Sequence, residues 1–224
     1  MPASPWTCIL WDVDGTLVDA SEGILRRLTI ALGEYGLPAP QHDDLVHWIG
    51  PPMYETFRSA AGMSHEQATE AVARYRAIGL AEGYTSGARL YPGVADLVAD
   101  VADAGIAQAT ASSKPEVQVV ALMEHFALST HLQSMTGADA GDRTRSQKAE
   151  VVAEALRRLR DLGADTSRPV LVGDRHHDVT GGAVHGVPVI FARWGFSRPG
   201  EEDGAHATAD DVDALRALLL DGPT

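Results

Sequence analysis

The spacing of apolar and polar positions changes period several times along the chain, and each change marks a predicted element. Cys8-Ile9-Leu10-Trp11 is a short continuous apolar run that stops at Asp12, Asp14 and Gly15. Its length and the glycine breaker predict a buried strand rather than a helix. Beyond Thr16 the period turns helical: Ile24, Leu28, Ala31 and Leu32 share a face, and Gly33, Gly36 and Pro38 end the segment. Gly50-Pro51-Pro52 is a rigid break, and Ser64-His65-Glu66-Gln67 reads as a capping box opening a helix to about residue 77. From about residue 19 to 86 there is no convincing strand pattern, so this stretch reads as an all-helical insert. After a return linker at 87–93, helix and strand patterns alternate. Helices are predicted at 94–104, 115–126, 147–160, 179–185 and 211–220, and strands at 106–112, 132–136, 170–172 and 187–191. Such alternation predicts an α/β fold with a doubly wound parallel sheet and helices on both faces. The predicted division is a core of residues 1–18 and 87–224, interrupted by an insert of residues 19–86.

Composition narrows the partners. Hydrophobic residues make up 45% of the 224, enough for a substantial core, and the formal net charge is −13. That balance argues against a nucleic-acid partner, because no basic stretch could displace counterions from a phosphate backbone. It leaves room for a small anionic substrate, since a bound metal ion reverses the local field. Cys8 is the single cysteine, so no intramolecular disulfide forms. The N-terminal residues lack the basic-then-apolar form of a signal peptide, and no apolar run approaches the ~20 residues of a membrane span. The expected setting is cytoplasmic, with no membrane partner.

The chemistry-bearing residues sit where predicted strands end. Asp12 and Asp14 are two apart, so on an extended strand their side chains point the same way. Two carboxylates placed together are unfavourable unless a cation or a proton separates them. A later strand ends at Ser112, Ser113 and Lys114; the helix after the 137–146 loop begins near Lys148; and Val170-Leu171-Val172 runs into Gly173-Asp174, with Asp178 one helical turn on. In a doubly wound sheet these ends can converge, because ligands bind beyond the carboxyl ends of the strands. The set offers carboxylates for Mg²⁺, a hydroxyl and an ammonium for phosphate oxygens, and one carboxylate free to attack. Taken singly, the same residues have plainer readings. Asp12 and Asp14 could shape a turn, Ser112 could cap the helix at Pro115, and Asp174 and Asp178 could stabilise a helix N-terminus. Lys114 competes with Lys148 for the phosphate role. Arg143 and Arg145 suit either an anionic substrate or a solvated loop. The segment from Trp48 to Met53, with Gly50 in it, either faces the site or packs within the insert. His176 and His177 would suit a transition metal, but the carboxylate-rich set favours Mg²⁺.

In this order the motifs resemble those of the haloacid dehalogenase (HAD) superfamily, in its phosphoglycolate-phosphatase-like branch. Asp12-Val13-Asp14-Gly15-Thr16-Leu17-Val18-Asp19 matches the first motif, Ser112 in Ala-Ser-Ser-Lys-Pro the second, Lys148 the third, and Gly173-Asp174-Arg175-His176-His177-Asp178 the fourth. The resemblance covers essentially the whole chain. It implies a Rossmann-like core with an inserted helical (C1-type) cap. It also implies a Mg²⁺-dependent phosphomonoesterase that hydrolyses a small-molecule phosphate ester through an aspartyl-phosphate. By that resemblance Asp12 is the nucleophile, and Asp14 is the acid and base and gives its carbonyl to the metal. Asp174 is the other direct metal ligand, and Asp178 acts through water or orients the shell. Ser112 and Lys148 hold the phosphoryl group, and Ser113, Gly50 and Arg145 are candidate substrate contacts. The cap would move on linkers near 18–20 and 87–92.

Three departures from the pattern stand out. Ala20 follows Asp19 where Ser is usual, Trp11 replaces Phe, and Lys148-Ala149-Glu150 lacks the Lys-Pro pair of many phosphoglycolate phosphatases. The last weakens the substrate assignment only, and leaves open a 5'-nucleotidase-type or sugar-phosphate phosphatase. A phosphomutase shares the intermediate and is a nearer rival than a dehalogenase, which would lack Asp14. A phosphonatase needs a cap lysine, and residues 19–86 contain none. A receiver-like phosphorylation switch also aligns acids, a hydroxyl and a lysine, but the long insert and Asp174 with Asp178 speak against it. Either a monomer or a homodimer is expected.

Overall fold

The structure is a computed structural model, and it describes residues 4–39, 44, 46–139 and 145–221. Its centre is strand β1, Cys8–Trp11, in which all four residues are fully buried. β1 lies between two parallel neighbours, β4 (Ala107–Pro115) and β6 (Pro169–Gly173). With β5 (Ser134–Ala138), β7 (Val189–Ala192) and β8 (Ala207–Ala209) they form one parallel sheet in the order β5-β4-β1-β6-β7-β8. A strand buried on both faces requires an unbroken apolar run, which is what the first motif begins with. Successive side chains of β1 supply different cores. Ile9 and Trp11 pack with α3 (Val94–Asp103), α4 (Glu116–His125) and α7 (Val212–Leu220), whereas Cys8 and Leu10 pack with α5 (Lys148–Asp161) and α6 (His176–Val184). The expected doubly wound parallel sheet is therefore present.

The chain moves outward from β1 to β4 and β5, then crosses to β6, β7 and β8 on the other side. The carboxyl end of β1 is the point where strand order reverses, the place where open α/β sheets bind ligands. Between β1 and β4 the chain leaves the sheet through β2 (Val18–Asp19) and returns through β3 (Arg89–Leu90). These two short strands pair antiparallel, with Val18 opposite Leu90 and Asp19 opposite Arg89, and an Asp19–Arg89 ion pair of 2.8 Å closes the ribbon. What lies between is helical among the described residues: α1 (Ser21–Glu34), helical turns at Met53–Glu55 and Thr56–Ala60, and α2 (His65–Glu82). The predicted box opens α2, with Gln67 N–H donating to Ser64 Oγ at 3.2 Å and Ser64 N–H to Gln67 Oε1 at 2.9 Å. α2 runs past residue 77 to Glu82, because Tyr75, Ile78 and Gly79 continue its buried face.

Candidate active site

Asp12 is the first residue past β1, and its N–H is held by Val172 O at 2.8 Å. The next residues form a tight loop on one acceptor: Thr16, Leu17 and Val18 all donate N–H groups to Val13 O. Gly15 adopts φ +89° in this loop, and a Cβ there would run into the Asp174 carboxylate. Both the turn and the close approach therefore demand glycine. Thr16 Oγ1 donates to Asp174 Oδ1 at 3.2 Å, and Phe196 N–H donates to Asp174 Oδ2 at 2.7 Å. Asp178 lies in the first turn of α6, where Arg175 N–H donates to its Oδ2 at 3.0 Å. Carboxylate oxygens of Asp12, Asp174 and Asp178 lie within 4.8 Å of one another, and all three residues are buried.

Lys148 opens α5 and extends into this cluster. Its Nζ lies 2.8 Å from Asp12 Oδ1 and 2.6 Å from Asp178 Oδ1, and it donates to Ala111 O at 2.9 Å. Burial would lower the proton affinity of this ammonium, but Asp12 and Asp178 outweigh it and hold it above the ordinary lysine range. Asp174 moves the other way. Burial and the Asp12 and Asp178 charges push its carboxyl well above the usual carboxylate range, despite the Phe196 N–H. Burial also raises Asp178, and Lys148 pulls back part of that shift, leaving it at about 6.

Asp14 stands apart from the three. Its Oδ2 accepts from Lys114 Nζ at 2.7 Å, and its Oδ1 is buried without a hydrogen-bond partner among the described residues. The chain contains two lysines, Lys114 and Lys148, and each is paired to a carboxylate of the first motif. The two candidates for the phosphate role thus pair with different aspartates. With every carboxylate ionised, four acids face two ammonium groups.

The remaining candidates separate. β4 runs on to Pro115, past the predicted end at residue 112, and pairing in register with β1 brings Ala111 and Ser112 beside Asp12. Ser112 is buried and accepts Lys114 N–H at 3.3 Å; α4 starts after Pro115 with no side-chain cap, so Ser112 does not serve as one. Ser113 is half-buried beside it. Arg145 is engaged by Glu116 at 3.0 Å, Asp139 at 2.5 Å and Gly137 O at 2.8 Å. Gly50 packs against Arg175. Arg143 lies outside the described residues. His176 and His177 are exposed and line an open cleft of about 440 Å³ with Arg175, Arg198 and Glu201, outside the carboxylate cluster. Two contributors went unassigned in the sequence, Thr16 and the Phe196 backbone, since each acts through a contact that only the fold creates.

The family model for haloacid dehalogenase-like hydrolases matches residues 9–192. The chain belongs to that family. This hydrolase is 39% identical over 215 residues to the tyrosine-protein kinase PtkA of Mycobacterium tuberculosis, covering 94% of this chain and 72% of that one. It is 34% identical to a 5'-nucleotidase of Pseudomonas aeruginosa, with 94% of each covered. Against a plasmid phosphoglycolate phosphatase of Cupriavidus necator the identity is 32%, covering 96% and 94%. The crystal structure of a predicted phosphatase from Clostridium acetobutylicum superimposes with a TM-score of 0.86 at 28% identity, covering 94% and 96%. The protein is an enzyme of the phosphatase branch of its family.

Proposed function

We propose that this hydrolase is a Mg²⁺-dependent phosphomonoesterase that turns over a small phosphate ester through a phosphoryl group carried on Asp12. The observation that carries this reading is the buried set of Asp12, Asp174 and Asp178 around Lys148, with Asp14 beside it on Lys114. The donor set fits a hard divalent cation. Its atoms are all carboxylate oxygens, its ionised charge exceeds that of the two lysines, and burial together with the neighbouring carboxylates raises Asp174 and Asp178, a cost that a cation would relieve. Asp12, Asp174 and Asp178 would hold the ion, with the Asp14 backbone carbonyl; the Asp14 carboxylate is engaged elsewhere, by Lys114. When bound, the ion supplies positive charge to the phosphoryl oxygens.

The chain's own groups do the rest. Lys148 fixes the Asp12 carboxylate at the strand end. An Asp12 oxygen attacks phosphorus; the new P–O bond forms as the ester P–O bond breaks, and Asp14 gives its proton to the departing alkoxide. In the second step Asp14 takes a proton from water as that water attacks phosphorus. The Asp12–phosphorus bond breaks and inorganic phosphate leaves. Ser112 and Lys148 donate to the phosphoryl oxygens in both steps. The insert, residues 19–86, acts as a cap on the paired β2–β3 ribbon and closes the site to bulk water.

The kinship with PtkA supports a second reading at the same site. On that reading a nucleoside triphosphate gives its terminal phosphoryl group to Asp12 as the diphosphate leaves, and the group then passes to a protein hydroxyl instead of water, with Asp14 taking the hydroxyl proton. Phosphate release from a panel holding 2-phosphoglycolate, nucleoside monophosphates, sugar phosphates and p-nitrophenyl phosphate, with Mg²⁺ and with EDTA, tests the proposal. Metal-dependent turnover that disappears in Asp12→Asn upholds it. A folded protein that releases no phosphate, yet transfers it from a nucleotide to protein tyrosine, replaces it with the second reading.

A further inference from the structure

The fourth motif contains a residue that the mechanism above leaves unused. Arg175 sits between Asp174 and Asp178 and is 6% exposed. Its guanidinium leaves the carboxylate cluster and reaches the insert. Nη1 donates to Ile49 O and Nη2 to His47 O at 3.4 Å. Nε and Nη2 also donate to the two oxygens of Glu201, at 2.7 and 3.2 Å. Four of the five guanidinium N–H groups are thereby used, and the planar fork is held at three points. Glu201 also accepts His176 N–H at 3.1 Å, so it fixes the loop as well as the guanidinium.

The same insert segment meets the core twice more, each time next to a site residue. His47 Nδ1 lies 3.1 Å from Phe196 O, and the Phe196 N–H holds Asp174. Glu55 accepts from Gln147 Nε2 at 3.0 Å, immediately before Lys148. Gly50 completes the fit, at φ +115°, where a Cβ would stand 2.9 Å from Arg175 Nη1. Segment 46–55 is therefore fastened to the loops that carry Asp174, Asp178 and Lys148.

We propose that Arg175 is a positioning residue that couples docking of segment 46–55 to the placement of Asp174 and Asp178. An insert that lifts away must pull on the metal loop or break the Arg175 bonds, so the site is complete only when the segment is seated. The inference rests on the phosphatase reading for its kinetic consequence, but not for its structural one.

The test compares wild type with Arg175→Ala, Arg175→Lys and Gly50→Ala, all as full-length chains. Gly50→Ala displaces the guanidinium without removing it. Hydrogen exchange in EDTA is read over residues 46–60 and over β1, β4 and β6, and kcat and KM are measured on the best ester of the panel. Arg175→Ala and Gly50→Ala should raise exchange in 46–60 by about tenfold or more while the three strands stay protected. In both, kcat should fall about tenfold or more, and further than KM rises. Arg175→Lys should recover only part, because an ammonium cannot span both carbonyls and Glu201. Unchanged exchange in 46–60 in both Arg175→Ala and Gly50→Ala overturns the tie. Raised exchange with unchanged kcat overturns the coupling. If Arg175→Ala does not fold, Arg175→Lys decides alone, because Gly50→Ala also strains the backbone at φ +115°. If wild type turns over no ester, the function reading fails, and the exchange result still decides whether Arg175 fastens the segment.

Discussion

Replacing Lys148 by Met keeps most of the buried stem and removes only the charge. The stem matters, since it fills the space left by Gly181, where a Cβ would collide with Lys148 Cβ and Cγ. The ammonium matters more. It is the cation within 2.8 Å of both Asp12 and Asp178, and Asp174 adds a third buried carboxylate to the same cluster. Removing one partner of a buried ion pair costs about 3–5 kcal/mol, because the other charge is left uncompensated. For a chain of this size each kcal/mol moves Tm by about 2–4 °C, so the loss should lie between about 6 and 20 °C. The loss should also depend on pH. Asp178 is already raised to about 6 and Asp174 is raised well above its ordinary value. Without Lys148 the folded state binds protons that the unfolded state, with ordinary carboxylates, does not. Stability therefore falls as pH rises through the raised folded values, and the variant's deficit should shrink as pH drops from 8 to about 5. Thermal unfolding of wild type and Lys148→Met in EDTA, at several pH values, reads this directly. A variant that unfolds with wild type at pH 8, or whose deficit is the same at pH 5, would refute the electrostatic account of the cluster.

The other predictions concern the metal and the acid. Mg²⁺ should raise the Tm of the metal-free wild type more at pH 8 than at pH 5.5, because protons on Asp174 and Asp178 compete with the ion; equal shifts in a paired thermal scan would argue against binding at that cluster. Asp14→Asn should lower kcat by about 10²–10⁴-fold on an alkyl phosphate and by much less on p-nitrophenyl phosphate, whose leaving group needs no proton. A loss of the same size on both substrates would remove Asp14 from the acid role. Ser112→Ala should lower kcat/KM by about 10–10³-fold with Tm nearly unchanged, as expected for one donor to the phosphoryl group; a large fall in Tm with intact turnover would make Ser112 structural.

Much of the fold was legible because its signals are local. The run Cys8 to Trp11 is apolar on both faces, as a central parallel strand must be, and the observed strand has the same bounds. Asp211 caps α7 through Ala214 N–H at 2.8 Å, in line with a helix expected from 211. β8 was not legible, since Ala207-Thr208-Ala209 has no apolar run and becomes a strand only by pairing with β7. β2 and β3 are two residues each, and their pairing across 70 residues is set by the fold rather than by either segment. The candidate site divides in the same way. Asp12, Asp174, Asp178 and Lys148 announce themselves by residue type at strand and helix ends, and they meet. The partnership of Lys114 with Asp14 had no signal in spacing, although the scarcity of lysine was one. Arg145 illustrates the limit: a loop arginine suits an anion, but Glu116 and Asp139 supply it from within the protein.

In the proposed mechanism Asp12 carries the phosphoryl group between the two steps. Acid quenching during turnover, followed by peptide mass spectrometry, locates it. The predicted result is one phosphoryl group on Asp12 within the tryptic peptide that ends at Arg26, present in wild type and absent in Asp12→Asn. Phosphate on another residue, or undiminished turnover by Asp12→Asn, would contradict the account.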